Sequence, residues 1–247
     1  MKNDWYYKAV RLDRTSHYDG TTKWRKGSVV RVDNPSPPET GPCGRGIHCS
    51  PTLLDAVGWQ RGPSRYYRVQ PHQIIAANDT KVRCNAVTVG SELSRAEQDE
   101  IAGFKLWETN HPFNPFTRNP RRMSEQKQIE LVNDWASVWE FVKDSVWNSV
   151  CGSFRNSVGV SVWTSVRVSV WNSVWRLVGD SVRNSVRVSV EAYVGGLFPA
   201  ITNWRYIERP DPWRPLLTLW YAGYVPSFDG TVWRLHAGPN ASVVLEV

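Results

Sequence analysis

Between Ser137 and Val194 the aliphatic positions fall every four residues. Val stands at 138, 142, 146 and 150, Phe154 takes the next place, and Val holds each fourth position from 158 to 194. Ser precedes most of these positions, so the unit is a Ser-Val tetrapeptide. A fixed short period marks a repeat architecture. Two backbones compete for it. In an α-helix a four-residue step turns about 400°, so the Val stripe drifts roughly 40° per unit. In a β-solenoid each tetrad is one short side with its Val inward, which suits Val and Trp. The stripe continues in phase from the helix-like flank Gln128–Glu140 to Glu191-Ala192-Tyr193-Val194 before Gly195-Gly196, and glycine there is a natural helix stop. We therefore expect helix, with breaks at Gly152, Gly159 and Gly179.

Upstream the pattern is that of strands. Trp5–Arg11, Ser28–Val32, Gly46–Ser50, Arg65–Val69 and Lys81–Val89 are short runs rich in aromatic and β-branched residues. In the last of these, Val82, Cys84, Ala86 and Thr88 alternate onto one face. Ser50 before Pro51 predicts a helix start, with the helix running to about Gln60. Ser94-Arg95-Ala96-Glu97 is a capping box that opens a helix to about Leu106. Asn110–Pro120 holds three prolines and reads as a linker, and a further helix starts near Ser124. In the tail, Pro215–Trp220 predicts a short helix ended by Gly223. Val232–His236 and Ser242–Glu246 flank Gly238-Pro239-Asn240 as a hairpin. The expected fold is α+β. A β-rich domain over 1–93 carries one or two helices, and a helical connector with a Pro-rich linker follows over 94–136. The repeat occupies 137–196, and a helix-plus-hairpin cap occupies 197–247.

Composition adds two things. There are 14 Trp residues, which points to packing platforms or a contact surface. The net charge is +7, and nearly all of it lies in residues 1–93, favouring an anionic partner such as nucleic acid, nucleotide or phosphate there. No apolar run reaches the ~18 residues of a membrane span, and no apolar leader follows Met1, so a cytoplasmic protein is expected, in the host cell if phage-encoded. The four cysteines, Cys43, Cys49, Cys84 and Cys151, contain no C-x-x-C pair. Reduced thiols are expected rather than a zinc site from Cys43, His48, Cys49 and Cys84, and no metal is predicted.

Three sets of residues are candidates for function. If the repeat is one long helix, its Val stripe needs a partner, most simply a second copy. Trp147, Trp163, Arg167, Trp171, Trp175, Arg183 and Arg187 then form the contact surface, because Trp and Arg dominate interface hot spots. The opposing expectation is an array folded back on its own chain. Trp5, Tyr6, Tyr7, Lys8 and Arg11, with Trp24, Arg25 and Lys26, combine stacking rings with charge, as single-strand binders do. A core strand with a charged outer face is the favoured explanation.

Tyr7–Arg11, Cys43–Ser50, a helix and Arg65–Val69 resemble an uncharacterised N-terminal domain of phage and metagenomic proteins that carry short-period repeats after it. Leu219-Trp220 through Trp233–His236 resembles the end of such chains. Gly44-Arg45-Gly46-Ile47-His48-Cys49-Ser50 before a helix is also similar to the glycine-rich strand and helix of ADP-ribosyltransferases. That resemblance implies NAD as cofactor, with Arg11 on a phosphate or ribose and His48 or Ser50 beneath the nicotinamide. The family's catalytic glutamate has no clear counterpart, Glu92 being the nearest candidate. The expectation is a non-enzymatic binding or assembly protein without a cofactor. It would pair with itself or another protein. The alternatives are an NAD-using ADP-ribosyltransferase-like enzyme and a nucleic-acid binder.

Overall fold

The computed structural model describes residues 5–60, 63–142, 168, 170–172, 174, 183–198 and 211–247. The chain forms two compact units, Met1–Asn110 and His111–Val247. The fold is α+β, as the sequence predicts. The first unit runs on past residue 93 and takes in the capping-box helix. The repeat and the tail share the second unit.

The first unit is built on five antiparallel strands: β1 (Tyr6–Val10), β2 (Val29–Arg31), β3 (Ile47–Cys49), β4 (Arg65–Ala77) and β5 (Val82–Glu92). β1 pairs with β4, β4 with β5, and β5 with β3. Just past β3, Ser50 exchanges two backbone hydrogen bonds with Tyr7, at 2.8 and 2.9 Å. Both edges of β1 are thereby used, and β1, β4, β5 and β3 close a circuit that removes their open edges. β2 pairs with the second half of β5. Val82, Cys84 and Ala86 are buried as the alternation predicts. Val87 and Val89 are buried too, so β5 is covered on both faces there. Inside lie Val10, Trp24, Ile47, Cys49, Tyr67, Val69 and Cys84. β4 is longer than its aromatic start suggests, because pairing with β5 carries it through Pro71 to Ala77, with register shifts at Tyr67/Val69 and Ile74/Ala76.

Helix α1 (Leu53–Gly58) starts two residues later than expected. Thr52 is its N-cap: the side chain accepts from the Asp55 amide at 3.1 Å, whereas Ser50 belongs to the bridge with Tyr7. Both halves of the capping box at Ser94 form. Helix α2 (Arg95–Ala102) stops at left-handed Gly103, before α3 (Leu106–Asn110).

The second unit contains helices α4 (Glu125–Val142), α5 (Arg183–Gly195) and α6 (Arg214–Ala222) and a meander of β6 (Tyr224–Phe228), β7 (Trp233–Ala237) and β8 (Ser242–Glu246). Gly223, at φ 93°, ends α6 where the sequence predicted. β6 was not anticipated, since Pro226 at its centre argues against a strand. Here the proline costs no ladder bond: it faces away from β7 and offers only its carbonyl.

Two serines of the array meet the free edge of this strand. Ser189 Oγ donates to Pro226 O at 3.2 Å, and Ser185 Oγ accepts from the Phe228 amide at 2.8 Å. Four helical residues rise about 6 Å and two strand residues about 6.7 Å. A Ser-Val period on α5 can therefore match a two-residue period along the second edge of β6. The Val of each unit goes to the core: Val186, Val190 and Val194 are each 0% exposed. The backbone of the array is helical wherever it is described, so the solenoid alternative does not apply to those residues.

Candidate functional site

Lys8 sits at the centre of β1, and strand alternation places it on the same face as Tyr6 and Val10. Val10 is a core residue and Tyr6 packs against the same cluster. A half-buried lysine thus lies against the apolar interior. Its Nζ donates to the His48 carbonyl oxygen at 2.9 Å and lies 5.3 Å from the centre of the Trp24 ring. Burial pushes the Lys8 pKa below the ordinary lysine value. No described carboxylate forms an ion pair with it.

Two adjoining cavities, of about 310 and about 470 Å³, open beside this lysine. They share Lys8, Tyr18, Cys43 and His48. The first is also lined by His17, Cys49, Ser50, Trp59 and Lys81, and no carboxylate lines it. Lys81 Nζ stands 4.5 Å from the centre of the Trp59 ring, and Trp59 Nε1 donates to Thr80 O at 3.4 Å. The second cavity carries Arg31 and Arg45 with Asp19 and Asp33. Asp19 is engaged: burial opposes its ionisation, but hydrogen bonds from Thr22 and Thr21 hold its pKa down to about 2. Tyr18, 94% exposed, stands at the rim of both cavities.

His48 is neutral. Burial, reinforced by the positive charges of Lys81 and Lys8, lowers its pKa to about 4. Its Nε2 is buried with no hydrogen-bond partner, as is Nε1 of Trp24 in the second cavity wall. Cys49 lies beside Cys84, and the hydrogen bond between them together with burial pushes the Cys49 thiol up.

The wall formed by residues 36–46 hangs on Arg83, which is 0% exposed. Its guanidinium donates to the carbonyls of Ser36 at 2.7 Å, Pro37 at 2.8 Å and Arg45 at 3.2 Å. A Cβ at Gly46 would come within 2.7 Å of Arg83 Cγ, and one at Gly44 within 2.5 Å of its Nη1. The Gly-Arg-Gly run is therefore glycine-rich because it wraps a buried arginine.

Of the residues that the ADP-ribosyltransferase resemblance singled out, His48 and Ser50 line the first cavity and Arg11 lines neither. Arg11 is exposed, with its guanidinium beside Gly20. Glu92 pairs with Arg65 at 2.5 Å and Arg14 at 3.2 Å, and accepts from Tyr67 OH at 2.9 Å. It lies nine residues along β5 from Arg83, the partner of His48 in the sheet register, or about 30 Å along the strand. The structure does not bring Arg11, His48 and Glu92 together. Among the described residues no three His, Cys, Asp or Glu side chains form a metal-binding group.

For the array surface, Trp147, Trp163, Arg167 and Trp175 lie outside the described residues. Trp171 and Arg183 are helical in backbone, and Arg187 pairs with the buried Glu191 at 3.3 Å. Trp24, offered as a stacking ring for a single strand, is 2% exposed and is a core residue. Sequence reasoning did not single out Lys81 or Trp59. Lys8 carried a usable signal: in Tyr6-Tyr7-Lys8-Ala9-Val10 it takes a core-facing place.

Residues 5–100 match a family described as a domain of unknown function (DUF7666). The match covers all five strands of the first unit and both cavities, and stops short of the second unit. No curated protein and no solved structure matches the chain.

Proposed function

We propose that the protein is a non-enzymatic binding protein whose first unit takes a small phosphate-bearing ligand, a nucleotide or a sugar phosphate, in the paired cavities. One observation carries this reading: Lys81 lines a cavity that has no carboxylate to neutralise it. An anion there gains attraction in partly desolvated surroundings without displacing an internal ion pair. Trp59, 49% exposed, offers a face for a planar ring. The enzyme alternative has its nearest glutamate, Glu92, held by Arg65 and Arg14 away from His48 and Ser50, and a transferase of that type needs a carboxylate to stabilise positive charge. Self-association through the array is not favoured by its Val stripe at 138, 170, 174, 186, 190 and 194, which is already buried. Free thiols at Cys43, Cys49 and Cys84 fit a reducing compartment, such as the cytoplasm of a phage host.

Calorimetric titration with adenosine monophosphate tests the proposal. Saturable binding with one site per chain is expected, weakened at least tenfold by Lys81→Glu. Absence of binding to the wild-type protein, or binding indifferent to Lys81→Glu, overturns it.

A further inference from the structure

We propose that Lys8 captures the open-chain aldehyde form of a sugar phosphate as a reversible imine. This rests on the reading of the cavities as a phosphate-ligand site and names the class of ligand. Lys8 projects from the core-facing side of β1, between Tyr6 and Val10, and lines both cavities. A lysine held by a carboxylate is a protonated point charge with no lone pair to give. Lys8 is held instead by a single backbone carbonyl, His48 O at 2.9 Å. Its nearest other neighbours are the Trp24 ring and the thiols of Cys49 and Cys84, and of the charges that reach it Lys81 favours the neutral amine while Asp19, held by Thr21 and Thr22, opposes it less strongly than burial. Such surroundings favour the neutral amine, as in lysines that react with carbonyl groups. Lys81, against Trp59 in the same cavity, remains for the phosphate.

The step balances without oxidant or reductant. The Lys8 Nζ lone pair attacks the aldehyde carbon, a C–N bond forms, and the carbonyl oxygen takes up a proton to give a carbinolamine. Loss of that oxygen as water, with loss of the remaining nitrogen proton, leaves the C=N bond. Solvent in the open cavity takes up and returns the protons of the step. Hydrolysis reverses the sequence, so capture is reversible binding and not turnover.

The test treats the full-length protein with ribose 5-phosphate and cyanoborohydride, which reduces an imine to a stable amine, and maps the modified lysines by mass spectrometry. The chain has eight lysines, so the map is complete with few peptides. Lys8 is expected to be modified at least about tenfold faster than the mean of the others near neutral pH, because its half-buried amine, without a carboxylate partner, is neutral more of the time than a solvated one. Lys8→Arg should abolish the fast phase. If that variant does not fold, the wild-type map alone decides. Uniform labelling, or labelling led by another lysine, overturns the proposal. Ribitol 5-phosphate, which lacks the carbonyl, separates it from the reading beneath. If ribitol 5-phosphate binds and Lys8 shows no preference, the imine fails and the phosphate site stands. If ribitol 5-phosphate does not bind and uncharged glycolaldehyde labels Lys8 as fast as ribose 5-phosphate does, the sugar-phosphate assignment is overturned.

Discussion

Single residues in the first unit behave as their surroundings dictate more than as their types suggest. His48 is the clearest. Its folded pKa, about 4, lies below the ordinary histidine value near 6.5 because the imidazolium would be buried beside Lys81 and Lys8. The unfolded chain therefore binds a proton between those values that the folded chain refuses. The contribution is fully present above about pH 6.5 and is lost as pH falls toward 4. Urea midpoints measured at pH 7, 5.5 and 4.5 should fall in that order. His48→Gln should flatten the part of the slope that belongs to the first unit. An unchanged slope would mean that His17 and His236, also lowered by burial, carry the effect. The same scale accounts for how far this site could be read beforehand. Ser50 and His48 drew notice through a glycine-rich run, yet those glycines answer to Arg83, which approaches from another strand. Spacing along the chain could not show that cause, because the arginine lies 37 and 39 residues away from the two glycines.

At the scale of elements, the spacing of Ser185 and Ser189 on α5 has a physical source in the second unit. A helix needs no serine every four residues for its own stability, and Ser in helix interiors is mediocre. A strand edge, however, presents a donor and an acceptor on alternate residues that must be satisfied when buried. Ser185 and Ser189 meet that need for Phe228 and Pro226, while the Val beside each enters the core. Ser189→Ala leaves the Pro226 carbonyl without its partner, and Ser185→Ala does the same to the Phe228 amide. Each should cost on the order of 1–3 kcal/mol of stability in thermal or denaturant unfolding. Replacement of either serine by Thr should cost less than replacement by Ala, because the hydroxyl is kept. An alanine scan with no loss at 185 and 189 would show that the hydrogen bonds are incidental to the repeat. The helical state of this segment was legible from the phase of its Val positions. The serines' partner was not, since β6 carries a proline and its strand character depends on pairing with β7.

Over the whole molecule, the charge is lopsided along the sequence. The net charge is +7, and residues 1–93 hold nearly all of it. The cavities of the first unit lie within that stretch. A phosphate ligand should therefore bind more weakly as salt rises, because screening shortens the reach of Lys81 and its neighbours to roughly 10 Å at 0.1 M and less above. Titrations of adenosine monophosphate at 50, 150 and 400 mM NaCl should show a steadily rising dissociation constant. A salt-independent constant would place recognition in the apolar walls instead. No described helix is long and apolar enough to cross a membrane.

By itself the sequence determined the α+β class, most strands, both halves of the capping box at Ser94, the stop of α6 at Gly223 and the helical phase of the described part of the array. These rest on local causes: the period of apolar positions, the hydrogen bonds of a cap, the left-handed freedom of glycine. What only the tertiary structure decided depends on groups distant along the chain. The closure of β1 onto β3 through Tyr7 and Ser50 brings Lys8 beside Trp24 and the His48 carbonyl. The packing of α5 along β6 gives Ser185 and Ser189 their partners, with Val186, Val190 and Val194 buried beside them. The placing of Glu92 with Arg14, Arg65 and Tyr67 removes it from His48. Each is a long-range pairing, set by which surfaces are buried together, and no short window of sequence contains both members.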